Sequence, residues 1–120
     1  MNTTLLQNKI DSLQTTANRL LGMVASSDCL YADDLAQLNK EIYDKISELY
    51  PLKGNTVVQE ASLCLAILTG YSVSMYANAE DEKRKQVVLA RSHKIVNALS
   101  PVTLKHQLLT ICEKMCSLKF

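Results

Sequence analysis

Cys112 and Cys116 stand four residues apart, the spacing that puts two side chains on one face of a helix. Two thiolates so placed could fill two corners of a zinc site. A closed structural zinc site takes four ligands, and the usual Cys-x-x-Cys knuckle is missing. His106 comes one and a half turns before Cys112 and falls on a different face. The pair therefore reads as core or boundary thiols, and no metal is expected. Cys64 lies inside an uncharged run and reads as a small buried apolar residue. With no export signal, the default state of all four cysteines, Cys29 included, is reduced thiol in the cytoplasm.

The other reactive residue types form no catalytic pattern. His93 and His106 do not neighbour a serine, cysteine or carboxylate in a recognised arrangement. Glu-x-x-His and a glycine-rich phosphate loop are both absent. Asp33, Asp34, Glu41, Asp44 and Glu48 make an acidic patch that reads as solvated charge. No set of residues meets the geometric requirements of a reaction, so neither an enzyme nor a cofactor is expected.

Lys83, Arg84, Lys85, Arg91 and Lys94 concentrate positive charge in one stretch, followed by Lys105 and His106. A helix-turn-helix reader would present such charges from its second helix. Here the turn is Ser100-Pro101, and the helix after it is poor in Arg, Asn and Gln. The formal net charge is only +1, too little for strong phosphate attraction, so direct nucleic-acid binding is not expected. Tyr31, Tyr43, Tyr50, Tyr71 and Tyr76 supply nearly all the aromatic content. Tyr71 and Tyr76 are five apart and cannot face the same way, so at least one is a candidate for a partner-binding surface.

The elements that must position these residues are helices. The chain has 120 residues, one domain's worth, and hides roughly two thirds of its unfolded surface on folding. Three glycines, two prolines and no tryptophan suit helices with short connections. Leu6, Ile10, Leu13, Ala17, Leu20 and Val24 alternate steps of four and three and mark a first helix over about 4–24. Leu35, Leu38, Ile42, Ile46 and Leu49 line a second, capped by Asp33 or Asp34 and stopped by Pro51.

Thr56 and Gln59 have capping-box spacing at the start of a third helix that runs to about Ala77. Its expected faces are Val57, Ala61, Cys64, Leu65, Leu68, Ser72 and Met75, with Leu63, Ile67 and Tyr71 on a second side. Gly70 inside it signals a close neighbour or a kink. A fourth helix starts at Asn78 or Ala79 with Glu80, Asp81 and Glu82 in its first turn, and Val88, Ile95, Val96 and Leu99 inward. Ser100-Pro101 opens a fifth, with Leu104, Leu108, Ile111, Cys112 and Met115 buried.

The 19 residues from Ala61 to Ala79 are uncharged, which raises the question of a membrane span. A span needs about 20 predominantly apolar residues. The second half of this run is diluted by Thr69, Gly70, Tyr71, Ser72, Ser74 and Asn78, so a core helix is expected instead. The expected fold is all-α: one domain over 1–120, a bundle of about five helices.

Several phrases carry a family likeness. They are Met1-Asn2-Thr3-Thr4-Leu5-Leu6-Gln7-Asn8-Lys9-Ile10, Leu38-Asn39-Lys40-Glu41-Ile42-Tyr43, and Gly54-Asn55-Thr56-Val57 with Glu60 to Ala66 and Gly70-Tyr71. With Leu108-Leu109-Thr110-Ile111-Cys112, the chain resembles the UpxZ family of bacterial capsular polysaccharide regulators. The resemblance implies a cytoplasmic, non-enzymatic protein without a cofactor. It would antagonise UpxY proteins, the NusG-like antitermination factors that let RNA polymerase read through a capsule operon, and would act on the factors of non-cognate operons. The alternative from the residues is a small regulator that binds nascent leader RNA. Candidate partner-binding residues are Tyr71, Tyr76, Lys83, Arg84 and Arg91, where the uncharged helix emerges and the next begins.

Overall fold

An apolar stripe of Leu6, Ile10, Leu13, Ala17 and Leu20 folds as the buried face of α1 (Thr3–Ser26). The same periodicity builds α2 (Ala32–Leu49), where Leu38, Ile42, Ile46 and Leu49 turn inward. Then follow α3 (Val57–Val73), α4 (Ala79–Val96) and α5 (Val102–Ser117), with no strand among the described residues. The computed structural model describes residues 3–26, 32–73, 79–100 and 102–117. The connection at Ser27 to Tyr31, the extension of α3 to Ala77, and Pro101 lie outside them, as do the side chains of Asp33, Asp34, Met75, Tyr76, Met115 and Cys116.

α3 is the central element and packs against α1, α2, α4 and α5. The sequence explains its place: Leu63, Cys64, Ala66, Ile67 and Leu68 are all fully buried, and they point in every direction around the helix. A helix that is apolar all round must be enclosed by neighbours. α1 and α2 run antiparallel, as the Lys9–Glu48 ion pair and the Lys45 Nζ–Ser12 Oγ bond of 3.0 Å show. Gln59 Nε2 donates to Gln7 Oε1 at 3.4 Å, so the starts of α1 and α3 lie together. α4 returns antiparallel to α3 and leads into α5, which packs on both.

Gly70 marks a close helix crossing. A Cβ there would meet Ile46 Cδ1 at 2.8 Å and Ile42 Cγ2 at 3.3 Å. The glycine lets α2 settle against α3, which settles the choice between a kink and a close neighbour in favour of the neighbour. One core assignment is corrected. Val57 is exposed, as is Val58, because both belong to the first turn of α3, whose polar neighbours are occupied in holding the preceding loop. Leu89, Asp81 and Ser92 are buried on α4 in addition to the expected Val88 and Val96; Leu99 is buried just beyond the helix, and Ile95 is only partly buried. No described helix is long and apolar enough to cross a membrane.

Candidate functional site

The loop into α3 is built from the phrase Gly54-Asn55-Thr56. Thr56 Oγ1 accepts from the Gln59 amide at 3.0 Å, the first half of a capping box. The reciprocal half differs from expectation. Gln59 Oε1 accepts from the Asn55 amide at 2.9 Å, one residue before Thr56. Glu60 reaches further back and accepts from the Gly54 amide at 2.8 Å. The loop thus folds so tightly over the helix start that a Cβ on Gly54 would lie 2.5 Å from Glu60 Cα and closer still to its amide nitrogen. Only glycine fits.

Arg91 of α4 completes this corner with intramolecular partners. Its Nε donates to Glu60 Oε2 at 2.8 Å and its Nη2 to Glu60 Oε1 at 2.9 Å. The same guanidinium donates to the carbonyls of Tyr50 at 3.3 Å and Leu52 at 3.0 Å. Those carbonyls belong to the end of α2 and the turn after it, which Pro51 prevents from continuing as helix. A planar donor fork suits such a mixed set of acceptors, and lysine would not.

Burial by itself would raise the Glu60 carboxyl, but the Arg91 guanidinium and the Gly54 amide outweigh it and hold it below the usual carboxylate range. Burial likewise works against the charge on Arg91, and its bond to Glu60 more than restores it. Cys64, one turn along α3, is pushed up to about 11, first by burial and then by the Glu60 charge. It is an inert thiol at neutral pH.

Tyr71 is also turned inward, only 4% exposed. It sits between α3 and the first turn of α4, where Asp81 is fully buried. Burial, then the Asp81 charge, pushes the Tyr71 hydroxyl up to about 12. Lys85 Nζ stands 5.7 Å from the Tyr71 ring centre and 3.0 Å from Glu82 Oε1. Arg84 lies over the Tyr50 ring at 5.0 Å, with Nη1 3.4 Å from Ser47 Oγ and Nε 3.6 Å from Glu80 Oε1. Arg84 and Lys85 therefore tie α4 to α2 and α3 instead of projecting as free cations. Lys83 is exposed, and Tyr76 lies outside the described residues. The acidic start of α4 and aromatic rings from two other helices draw these cations inward, an arrangement that no single stretch of sequence displays.

Sequence reasoning missed a groove on the far side of α3. α1 and α5 both pack on α3 but do not meet each other among the described residues. The space between them, about 790 Å³, has Leu65, Thr69 and Ser72 as its floor. Gln14 and Asn18 of α1 form one wall, and α5 forms the other. The available signal was the polar edge of an otherwise apolar α3: Ser62, Leu65, Thr69 and Ser72 repeat at steps of three, four and three. His106 lines this groove, while His93 is exposed on α4. Among the described residues no three His, Cys, Asp or Glu side chains gather as a metal site.

Four helices around a central one, with a mixed polar groove between two of them, define a small all-α protein among the described residues. Comparison with known proteins narrows this class. The model of the UpxZ family of transcription anti-terminator antagonists matches residues 10–114. The chain belongs to that family. It is similar to the transcription anti-terminator antagonist UpxZ from Bacteroides uniformis ATCC 8492, whose crystal structure superposes with a TM-score of 0.78 at 33% sequence identity. The similarity covers 89% of this chain and 66% of the other, so the chain spans about two thirds of that protein's length. None of the curated proteins compared matches the chain.

Proposed function

We propose that this chain, as one UpxZ-like domain over residues 1–120, binds a NusG-like UpxY antitermination factor and blocks its work on RNA polymerase. Its targets would be the factors of non-cognate capsular polysaccharide operons, and its place of action the cytoplasm. The observation that carries this reading is the family match across residues 10–114, a family of transcription anti-terminator antagonists. The geometry supports contact over catalysis: the strongest polar constellation, Glu60 with Arg91, is spent on holding a loop.

The alternative, binding to nascent leader RNA, draws less support. Two of the three consecutive cations that suggested it, Arg84 and Lys85, pair with Glu80 and Glu82. Co-purification of the tagged chain with individual UpxY factors tests the proposal. A complex with factors of other operons is the expected result. Failure to form a complex with any factor, together with salt-sensitive RNA binding lost in a K83A/R84A/K85A variant, would falsify it in favour of RNA.

A further inference from the structure

We propose that the groove between α1 and α5 docks an acidic α-helical segment of the antitermination factor. This rests on the reading that the chain binds such a factor, and it adds the face used and the chemistry of the segment that enters.

The shape argument begins with α3. From Ala61 to Ser72 every residue is buried except Ser62, Leu65, Thr69 and Ser72, which lie along one line of the helix. α3 is thus enclosed on all sides but one. On its other flank, Arg84 reaches from α4 across to Ser47 and Tyr50 of α2 and closes the gap between those helices. Among the described residues no helix contact closes the α1–α5 gap. Packed helices sit about 8–10 Å apart, so two helices that flank a third without meeting leave a slot suited to one more helix.

The floor favours close approach. Thr69 Oγ1 donates to the Leu65 carbonyl and Ser72 Oγ to the Thr69 carbonyl, both at 2.7 Å. These short side chains therefore lie folded against their own backbone. Leu65 and Ile111 supply apolar contact, and Val102, 67% exposed, stands at the rim. Gln14 and Asn18 on one wall and Gln107 on the other offer amide groups for a polar occupant.

Charge selects the occupant. Among the described residues the lining includes Lys114 and His106 and no aspartate or glutamate. On α4, by contrast, Arg84 and Lys85 already lie against Glu80 and Glu82. A carboxylate-bearing helix would place negative charge against Lys114, and complementary charge sets register and encounter rate at interfaces.

The test is calorimetric titration of the full-length chain with a purified antitermination factor. The groove variant is Q107E/K114E; both positions are exposed, so folding is preserved and is checked by thermal melting. A K114R variant keeps the charge, and K83E/K94E places a slightly larger charge reversal on α4. The groove variant should weaken binding by at least about tenfold, while K114R and K83E/K94E stay within about twofold of the parent. Full affinity in Q107E/K114E overturns the groove assignment and leaves factor binding intact. Loss confined to K83E/K94E moves the contact to α4 and also overturns it. No complex with the parent chain removes both this inference and the function it rests on. RNA binding that Q107E/K114E abolishes would give the groove to nucleic acid, and would equally overturn it.

Discussion

Arg91 grips both carboxylate oxygens of Glu60, at 2.8 and 2.9 Å, and with the same guanidinium holds the carbonyls of Tyr50 and Leu52. One side chain of α4 thereby joins the end of α2, the following turn and the start of α3. Removing it leaves a half-buried carboxylate and two carbonyls without their donor. Arg91→Ala should cost about 3 kcal/mol of stability, as for a broken buried pair, with Arg91→Lys recovering only part. A double-mutant cycle with Glu60→Gln in urea denaturation would report the coupling. Simple additivity of the two changes would contradict the clamp.

The same pair makes stability depend on pH at the acid end. Although burial opposes it, the net effect of Arg91 and the Gly54 amide is a Glu60 carboxyl lowered in the folded state. A lowered folded value means that the contribution is complete above the unfolded carboxylate range and is lost as pH falls through the folded value. The stability gap between the parent chain and Glu60→Gln should therefore narrow as pH falls from about 6 through and below the ordinary carboxylate range near 4. Urea midpoints measured along that series check this, and a gap that stays constant contradicts it.

Gly54 and Gly70 should respond differently to alanine. At Gly54 the new methyl would strike the Glu60 backbone, which cannot yield without opening the loop. Gly54→Ala should lower stability by about 2 kcal/mol or more and loosen the Glu60–Gly54 contact. At Gly70 the obstacle is mainly Ile46 Cδ1, the movable end of a side chain. There the improved helix propensity, about 1 kcal/mol, offsets much of the crowding. Gly70→Ala should be close to neutral, and Ile46→Val should make it stabilising. Thermal melts of the three variants would settle the order, and equal losses at both glycines would contradict the distinction.

Cys64 gives a chemical readout of the core. Its thiol is pushed up to about 11 by burial and then by Glu60, and it is fully covered. Iodoacetamide at mildly alkaline pH should leave Cys64 unmodified in the native protein and alkylate it in urea. Peptide mass spectrometry reads the difference; rapid native labelling would contradict the enclosed packing of α3.

The apolar periodicities were legible because each reports a local rule. The stripes of α1 and α2 required only that side chains three and four residues apart share a face. The capping phrase before α3 was legible for the same reason, yet its detail was not. Gln59 turned to Asn55 because Glu60 and Arg91 had drawn the loop over the helix start. Charge was least legible. Arg84, Lys85 and Arg91 read as part of one basic stretch, but Tyr50, Ser47 and Glu60, all distant in sequence, turned two of them toward other helices.

The chain by itself determined the five described helices, most of the buried stripe of each, the core place of the uncharged one, and a family resemblance that the comparison upheld. These follow from periodicity, propensity and phrase, which act between near neighbours. Only the tertiary structure decided that Tyr71 and Arg91 serve the interior and that a polar edge of α3 opens between α1 and α5. A side chain's partner is whatever lies within a few ångströms once helices pack. That distance is set by how α2, α3, α4 and α5 meet, not by the order of residues along any one of them.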